Sequence, residues 1–187
     1  MSAEHSSRAA PANTPVLHPI KSSTDPWLAP AEALYQRTFD RRERRDSLGG
    51  QLSNPRHNLL VILWSGDFAG FMTVWRFDAF AFIEHLATHP TVRGSGIGGI
   101  VLATVVQKAP LTVLEAERAE DSPLAPRRLA WYQSCGFMIN PQAYRQPAYG
   151  PGLPEVPLHF LSHPRALRTD EFGAVVQTLR REVYAVH

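Results

Sequence analysis

The sequence predicts a single α/β domain with a mixed, mostly antiparallel central sheet and helices on both faces. Three apolar segments joined by short turns lie within residues 59–88, and such segments form antiparallel strands. A glycine-rich loop and a helical pattern separate the third segment from an apolar strand at residues 111–117, so these two strands should run parallel. A length of 187 residues and a hydrophobic content of 44% suit one domain with its own core.

The first residues differ in composition from the rest of the chain. Residues 1–19 are rich in Ala, Ser and Pro, which predicts a disordered tail before a domain over residues 20–187. Residues 20–23 fit a first edge strand. Asp25-Pro26 is a helix-start signal, and apolar residues at helical spacing predict a helix from Leu28 to Phe39.

The densest charge run of the chain, Arg41-Arg42-Glu43-Arg44-Arg45, follows this helix. We interpret it as a solvated helix end, where cations complement the helix dipole, rather than as a nucleic-acid site. Strands are then predicted over residues 59–64, 68–77 and 81–88. Short turns at residues 65–67 and 78–79 connect them.

The part of the chain after residue 111 predicts alternating strands and helices. Pro123 and Pro126 frame a helix that contains Tyr132 and ends at Gly136 in a left-handed conformation. Residues 137–139 and the segment around residues 158–161 are the predicted final strands. A last helix starts at Thr169-Asp170-Glu171, and its apolar face consists of Phe172, Val175, Val176, Leu179 and Val183.

The stretch from Arg93 to Gly99 carries the strongest functional signal. Gly94, Gly96, Gly98 and Gly99 lie together at the start of a predicted helix. Glycines let main-chain N–H groups approach a ligand, and the first amides of a helix have no partner inside it. The helix dipole and the Arg93 guanidinium favour an anion there. These features predict a phosphate-binding loop. The simpler alternative is a tight turn, which needs fewer glycines.

The spacing Gly94-x-Gly96-x-x-Gly99 also fits the dinucleotide-binding fingerprint, with Glu115 or Glu117 placed to hold a ribose. That fold requires an apolar parallel strand that leads directly into the glycines. Here the strand contains Glu84 and His85 and is separated from the glycines by several residues. A Walker loop is excluded because no Gly-Lys-Ser/Thr sequence follows.

The segment Arg93-Gly94-Ser95-Gly96-Ile97-Gly98, preceded by Glu84 to Pro90, closely resembles the acyl-coenzyme A loop of the GNAT superfamily of N-acetyltransferases. The pattern of that loop is Arg/Gln-x-x-Gly-x-Gly/Ala. Trp131 to Phe137 is similar to the family's aromatic-Tyr-x-x-x-Gly-Phe helix end. Phe39 to Arg45 and Tyr144 to Tyr149 are similar to elements of one bacterial branch, although Asp40 and Ala148 replace prolines. The match covers roughly residues 20–187.

The resemblance implies a coenzyme site between two splayed parallel strands. The pantetheine arm carries two amides and would pair with the backbone of one strand as an added strand does. The expected cosubstrate is acetyl-CoA, with no metal. The implied cofactor-binding residues are Leu86, Ala87, Thr88, Arg93, Gly94, Ser95, Gly96, Ile97, Gly98 and Gly99.

Acyl transfer to an amine needs a neutral amine, a donor for the developing oxyanion and a proton for the leaving thiolate. A main-chain N–H near Leu86 or Ala87 is the expected oxyanion donor. Tyr132 lies at the family's position for the acid, and tyrosine, with a reference pKa of about 10, is protonated at neutral pH. Glu84 is the candidate base, with a structural ion pair as the alternative. Strand alternation predicts that Glu84 and His85 face opposite sides, and His85 is the substitute base.

Composition excludes several classes of protein. A net charge of +2 is too small to indicate a nucleic-acid partner. The single cysteine, Cys135, excludes a disulfide framework, and no apolar run could span a bilayer, so we expect a cytoplasmic protein without membrane association. The pairs His85/His89 and His159/His163 lie in strand-like sequence, where four residues span roughly 13 Å, too far for one zinc ion.

We therefore predict an acetyl-CoA-dependent N-acetyltransferase that acts directly on a primary amine of a small molecule or a peptide. Trp75, Tyr144 and Tyr149 are candidates to line the acceptor side, with loop packing as the alternative. Glu115 and Glu117 could attract a cationic amine or lie at a solvated strand end. A non-catalytic acyl-CoA sensor or interaction module is the alternative function. The acceptor and the oligomeric state, a homodimer included, stay open.

Overall fold

Eight strands form a mixed sheet in the computed structural model, which describes residues 14–186. Within these residues, every strand pair is antiparallel except the β4/β5 pair, which confirms the predicted sheet. The spatial order is β1-β2-β3-β4-β5-β8-β6, and β7 pairs with β8. The strands are β1 (Val16–Ile20), β2 (His57–Trp64), β3 (Asp67–Arg76), β4 (Ala81–Thr88), β5 (Thr112–Ala116), β6 (Met138–Ile139), β7 (Tyr144–Gln146) and β8 (Val156–His163).

Helices cover both faces of this sheet, as predicted. They are α1 (Leu28–Thr38), α2 (Ile97–Val106), α3 (Ala125–Ser134) and α4 (Thr169–Glu182). Helices α2 and α3 pack on the face that presents Met72 and Ile83. Helices α1 and α4 pack on the opposite face, where α1 meets Phe71 and α4 lies over Phe82. Both layers bury apolar side chains, so the sheet is covered on both sides and only its edges and strand ends are available for a ligand.

The N-terminal boundary differs from the prediction. Strand β1 begins at Val16 and pairs with β2 from Val16 opposite Leu63 to Ile20 opposite Leu59. Residues 16–19, assigned to a disordered tail, therefore belong to the sheet. Pro19 obscures this strand in the sequence, but β1 is an edge strand, where a missing N–H is tolerated. Residues 1–13 of the predicted tail lie outside the described residues.

The other elements follow the sequence closely, with one omission. Strand β7, Tyr144–Gln146, has three residues, too few for a hydrophobic period to show. Helix α3 is followed by Gly136 at φ +88°, the predicted left-handed stop. Within residues 14–186, no helix is both long and apolar enough to cross a bilayer.

Candidate active site

The parallel strands β4 and β5 separate at the centre of the sheet. Their pairing ends with Ile83 opposite Leu114, whereas β4 continues to Thr88 and stays paired with β3 over that length. The edge of β4 that faces β5 therefore has no partner strand beyond Ile83. Leu86, Ala87 and Thr88 lie on this edge and line a cavity of ≈ 800 Å³. Unpaired main-chain groups along such an edge can bind an extended ligand.

The glycine loop joins β4 to α2. Gly94 and Gly96 have φ values of +82° and +85°, which residues with a side chain rarely adopt. A Cβ atom on Gly98 would lie 3.2 Å from the Trp131 indole, so this glycine allows α2 to pack against α3. A Cβ atom on Gly99 would meet nothing within 4 Å. Two of the four glycines thus shape the loop, and one serves packing.

The loop presents unpaired main-chain donors at the start of α2. The N–H of Ser95 donates to Val92 O at 3.3 Å, and the N–H of Gly99 donates to Gly96 O at 3.1 Å. Arg93 lines the cavity beside them. This arrangement fits the predicted binding of a diphosphate. Four other loop N–H groups donate to no acceptor within residues 14–186: those of Gly94, Gly96, Ile97 and Gly98.

A β-bulge in β4 changes the direction of two candidate side chains. Thr73 lies opposite His85 and Val74 lies opposite Ile83, so Glu84 has no opposite residue on β3. The extra residue interrupts the alternation of side chains. Glu84 and His85 therefore share one face, with Glu84 Oε2 only 3.9 Å from His85 Nδ1. The prediction that alternation separates them is wrong, because it assumed an uninterrupted strand.

The Glu84 carboxylate is surrounded by hydrogen-bond donors. Its side chain is 2% exposed. Arg45 Nη2 and the Tyr149 hydroxyl each donate to Oε1 at 3.0 Å, and Trp75 Nε1 donates to Oε2 at 2.8 Å. Burial by itself would raise the pKa of this carboxyl, but the charge of Arg45, with His85 and Trp75, holds the pKa below its ordinary value. Glu84 is thus ionised and engaged in a buried ion pair.

Arg45 differs from the exposed arginines of its charge run. Its side chain is 18% exposed, its guanidinium lies 5.1 Å from the Tyr149 ring centroid, and Nη2 also donates to Val183 O at 2.7 Å. Arg41 and Arg42 are exposed and pair with nearby aspartates. The prediction of a solvated helix end is therefore wrong for Arg45, because the run folds back onto the sheet.

Strand β5 brings a second carboxylate, that of the half-buried Glu115, to the cavity. Glu115 accepts hydrogen bonds from the Tyr144 hydroxyl, from the Tyr184 hydroxyl at 2.7 Å and from Gln146 Nε2 at 2.9 Å. Burial raises the pKa of Glu115 to about 7, and Glu84 adds to this effect, although the three hydrogen bonds oppose it. A carboxyl with this pKa is suited to accept a proton at neutral pH. The alternative of a solvated strand end is wrong for Glu115.

Helix α3 places Tyr132 in the wall of the same cavity. The residue is 8% exposed, and burial raises the pKa of its hydroxyl to about 12. Within residues 14–186 this hydroxyl makes no hydrogen bond. Tyr132 therefore keeps its proton at neutral pH and has it available for a ligand atom in the cavity.

His85 is held by hydrogen bonds at both ring nitrogens. Nε2 lies 3.0 Å from the main-chain oxygen of Glu43, and Nδ1 lies 3.4 Å from Thr73 Oγ1. Because a carbonyl oxygen can only accept, Nε2 carries the proton. Burial lowers the pKa of His85, which keeps the ring neutral.

The predicted acceptor-side aromatics lie behind the two carboxylates. Trp75 and Tyr149 donate to Glu84, and Tyr144 donates to Glu115. They orient the carboxylates and do not line the cavity. In the described part of the chain, no cluster of three or more His, Cys, Asp or Glu side chains is placed to hold a metal ion.

The fold is that of a known family of acyl-group transferases. A model of the acetyltransferase (GNAT) family matches residues 20–137, more than half of the chain. The chain therefore belongs to the GNAT family of acetyltransferases. Family membership also removes the dinucleotide-binding interpretation of the glycine loop.

Solved structures share this architecture. A GNAT-family protein from Bacteroides thetaiotaomicron superposes with a TM-score of 0.83 at 28% identity, over 92% of this chain and 99% of that chain. The Escherichia coli ribosomal-protein-S18-alanine N-acetyltransferase gives 0.59 at 18% identity, over 84% and 97% of the two chains. A GNAT acetyltransferase from Elizabethkingia anophelis with acetyl-CoA bound gives 0.52 at 17% identity, over 80% and 97%. The last two comparisons establish the fold alone. No curated protein sequence matches the chain.

Proposed function

We propose that this protein transfers an acetyl group from acetyl-CoA directly to a primary amine. The proposal rests on two side chains, Glu115 and Tyr132, that line the same cavity. Glu115, with a pKa of about 7, can accept a proton, and Tyr132, with a pKa of about 12, can donate one. The unpaired edge of β4 lines the same cavity. Proton acceptor, proton donor and cosubstrate edge are the parts that amine acylation needs.

Acetyl-CoA fits the residues of the cleft in two respects. Its diphosphate is an anion. Arg93 lines the cavity, and the unpaired N–H groups of Gly94, Gly96, Ile97 and Gly98 follow it in the loop, where they are suited to bind an anion. Its pantetheine arm is an extended chain with two amides, and the edge from Leu86 to Thr88 has main-chain groups without a partner strand. The N–H groups of Ser95 and Gly99 are already used within the loop, so these residues would shape the site.

The proposed reaction releases one proton to solvent overall. Bound acetyl-CoA supplies an electrophilic thioester carbonyl. Glu115 takes a proton from the acceptor ammonium, and the neutral nitrogen bonds to the acetyl carbon while a main-chain N–H near Leu86 or Ala87 donates to the developing oxyanion. The carbon–sulfur bond breaks, and Tyr132 gives its phenolic proton to the sulfur. The second nitrogen proton returns to Tyr132 through water, and Glu115 releases its proton to solvent.

We assign the base to Glu115 in preference to Glu84 or His85. Each of the two glutamates accepts three hydrogen bonds, but Glu84 is also paired with the Arg45 guanidinium, which lowers its pKa and makes it a weak proton acceptor. The Nε2 atom of His85 donates to a carbonyl, its Nδ1 atom lies 3.4 Å from Thr73 Oγ1, and burial lowers the pKa of the ring. Glu84 instead acts as a positioning residue, because it holds Arg45 and the loop after α1 against β4.

The function can be tested in two stages with the full-length protein. Thermal-shift titrations with acetyl-CoA, CoA, NAD and ATP come first, since a ligand at a hundredfold excess over its Kd stabilises by about 2.7 kcal/mol. Release of free CoA thiol is then measured with small amines and peptide amines. Stabilisation by acetyl-CoA and amine-dependent thiol release are expected. Stabilisation without thiol release would favour the non-catalytic sensor, and stabilisation by NAD alone would contradict coenzyme A binding.

A further inference from the structure

The segment that follows α4 contacts the candidate base from behind the cavity. The Tyr184 hydroxyl donates to Glu115 Oε2 at 2.7 Å, although the two residues are 69 positions apart in the sequence. Tyr184 is 7% exposed and belongs to the apolar layer between α4 and the sheet. Of the two residues, only Glu115 lines the cavity. Tyr184 can therefore influence a reaction in the cavity only through Glu115.

Both the main chain and the ring of Tyr184 are held in place. Its N–H donates to Leu179 O at 3.1 Å, in the last turn of α4. The main-chain oxygen of the preceding residue, Val183, accepts a hydrogen bond from Arg45 Nη2 at 2.7 Å. The Tyr184 ring packs on the Tyr149 ring, with 5.2 Å between the centroids. Because the residue is already ordered, its hydroxyl contacts Glu115 at little further cost in conformational entropy.

The Gln146 amide sets the direction of this hydrogen bond. Its Nε2 atom carries two hydrogens, and it donates to Glu115 Oε2 at 2.9 Å and to the Tyr184 hydroxyl oxygen at 3.4 Å. Since that oxygen accepts from Gln146, the hydroxyl hydrogen of Tyr184 is available for the carboxylate. The three groups form a closed triangle of hydrogen bonds at Oε2.

The two oxygens of the Glu115 carboxylate are occupied unequally. Oε2 accepts hydrogen bonds from Gln146 and Tyr184, whereas among the described residues Oε1 accepts one, from the Tyr144 hydroxyl. A carboxylate has about four acceptor positions, two on each oxygen. One acceptor position on Oε1 therefore stays open, and a proton from an amine can be taken there.

We propose that Tyr184 is a positioning residue for acetyl transfer, which holds the Glu115 carboxylate with Oε1 free to accept the proton of the acceptor amine. This inference rests on the proposed function, in which Glu115 is the base. The proton moves from the ammonium nitrogen to Oε1, and Tyr184 keeps its own hydrogen throughout. Loss of the Tyr184 hydroxyl would let the carboxylate rotate and would remove a donor that stabilises its ionised form.

Tyr184→Phe tests the contact, because it keeps the buried ring and removes only the hydroxyl. Protein labelled with ¹³C at the glutamate carboxyl carbons is titrated by NMR, and Glu115→Gln identifies the Glu115 resonance. We expect the pKa of Glu115 to rise by about one unit in Tyr184→Phe, as for the loss of one charge-assisted hydrogen bond. Tyr149→Phe is the matched control, since Tyr149 donates to Glu84, and it should leave the pKa of Glu115 unchanged. The other groups that face Glu115, Glu84 and Tyr144, are intact in both variants.

Kinetic measurements test whether the contact serves catalysis. Thiol release from acetyl-CoA is followed with the amine that the wild type acetylates fastest among small amines and peptide amines. In Tyr184→Phe the acidic limb of kcat/KM should move up by about one pH unit, which lowers kcat/KM about tenfold below the limb. In a Glu115→Gln background the same substitution should change kcat/KM by less than about twofold, because residues that act through one another are not additive. Acetyl-CoA should stabilise Tyr184→Phe as much as the wild type, which shows that the variant is folded.

The outcomes separate this inference from the proposed function. An unchanged pKa of Glu115 in Tyr184→Phe, or an equal rise in Tyr149→Phe, would overturn the positioning role while acetyl transfer stands. Losses that multiply in the double variant Tyr184→Phe/Glu115→Gln would overturn it in the same way. If Glu115→Gln keeps the wild-type pH profile, the base assignment fails and the inference fails with it. If the wild type acetylates no amine, the proposed function itself fails.

Discussion

Arg45 and Glu84, 39 residues apart in the sequence, form an ion pair at 3.0 Å. This pair links the loop after α1 to the bulge in β4. The same arginine donates to the main-chain oxygen of Val183 just after α4. Three distant segments therefore meet at one guanidinium. The bulge in turn directs both Glu84 and His85 towards the face of the sheet that α1 and α4 cover.

Removal of the Glu84 charge should affect stability more than proton transfer. Breaking a buried ion pair typically lowers the free energy of unfolding by 3–5 kcal/mol, and we expect about 3 kcal/mol for Glu84→Gln because Arg45 is partly exposed. Urea denaturation measures this loss, and Glu84→Gln/Arg45→Met should recover part of it. The pH dependence of kcat/KM should keep its wild-type shape. A stable variant with a flattened pH profile would identify Glu84 as the base instead.

The same carboxylate should contribute to acid sensitivity. The pKa of Glu84 is lower in the folded protein than its ordinary value of 4.5, so the unfolded chain binds its proton first. The stabilisation is fully present above pH 4.5 and is lost as pH falls through the folded-state pKa. The difference in unfolding free energy between the wild type and Glu84→Gln should therefore shrink below pH 4.5. A constant difference down to lower pH would contradict the shift.

Glu115→Gln should remove the acidic limb of the pH profile. In the wild type, kcat/KM should rise as Glu115 loses its proton near pH 7. In the variant this rise should be absent. Its kcat/KM should also be lower by about 10²–10⁴-fold, the usual contribution of a general base. The groups that face this carboxyl are Tyr144, Tyr184, Gln146 and Glu84. An unchanged profile would exclude Glu115 as the base.

The pH dependence of stability that Glu115 contributes should be opposite in sign to that of Glu84. Its pKa is raised from 4.5 to about 7, so the native state holds its proton longer than the unfolded chain does. Wild-type stability should therefore fall as pH rises from 4.5 to about 7, and Glu115→Gln should lack this fall. Thermal melts of both proteins across this interval give the comparison, and parallel curves would argue against the raised pKa.

Tyr132→Phe should lower kcat without weakening coenzyme binding. The substitution removes a hydroxyl that makes no hydrogen bond within the described residues, so the fold should tolerate it. Loss of a general acid reduces rates by about 10²-fold or more. The thermal shift with acetyl-CoA should equal that of the wild type. Equal kcat for both proteins at every pH would refute the role of Tyr132.

Gly96→Val should abolish stabilisation by acetyl-CoA. Gly96 has φ +85°, a conformation that a β-branched residue adopts only with strain, and its N–H is one of the unpaired loop donors. Gly173→Ala, at an exposed site on α4 where a Cβ meets nothing within 4 Å, is the matched control. That control should bind acetyl-CoA normally and gain up to about 1 kcal/mol in helix stability. Normal binding by Gly96→Val would place the diphosphate elsewhere.

Several features of this protein follow from local sequence alone. Some features depend only on residues close in sequence, and the sequence therefore predicts them. They are the hairpin turns, the glycine loop before α2 and the helix end at Gly136. The parallel β4/β5 pair follows in the same way, because a helix connects the two strands. These features were enough to predict the mixed sheet, and the resemblance of the glycine loop and of the segment from Trp131 to Phe137 was enough to predict the family.

The carboxylate chemistry was decided by tertiary structure. Glu115 receives its hydrogen bonds from residues 29, 31 and 69 positions later in the chain, and its raised pKa comes from the burial that their packing produces. The bulge at Glu84 depends on its register with β3, and alternation within β4 gives no sign of it. Sequence periodicity reports which side chains an element can bury. Desolvation and charge pairing depend on which distant segments meet, and only the folded chain determines that.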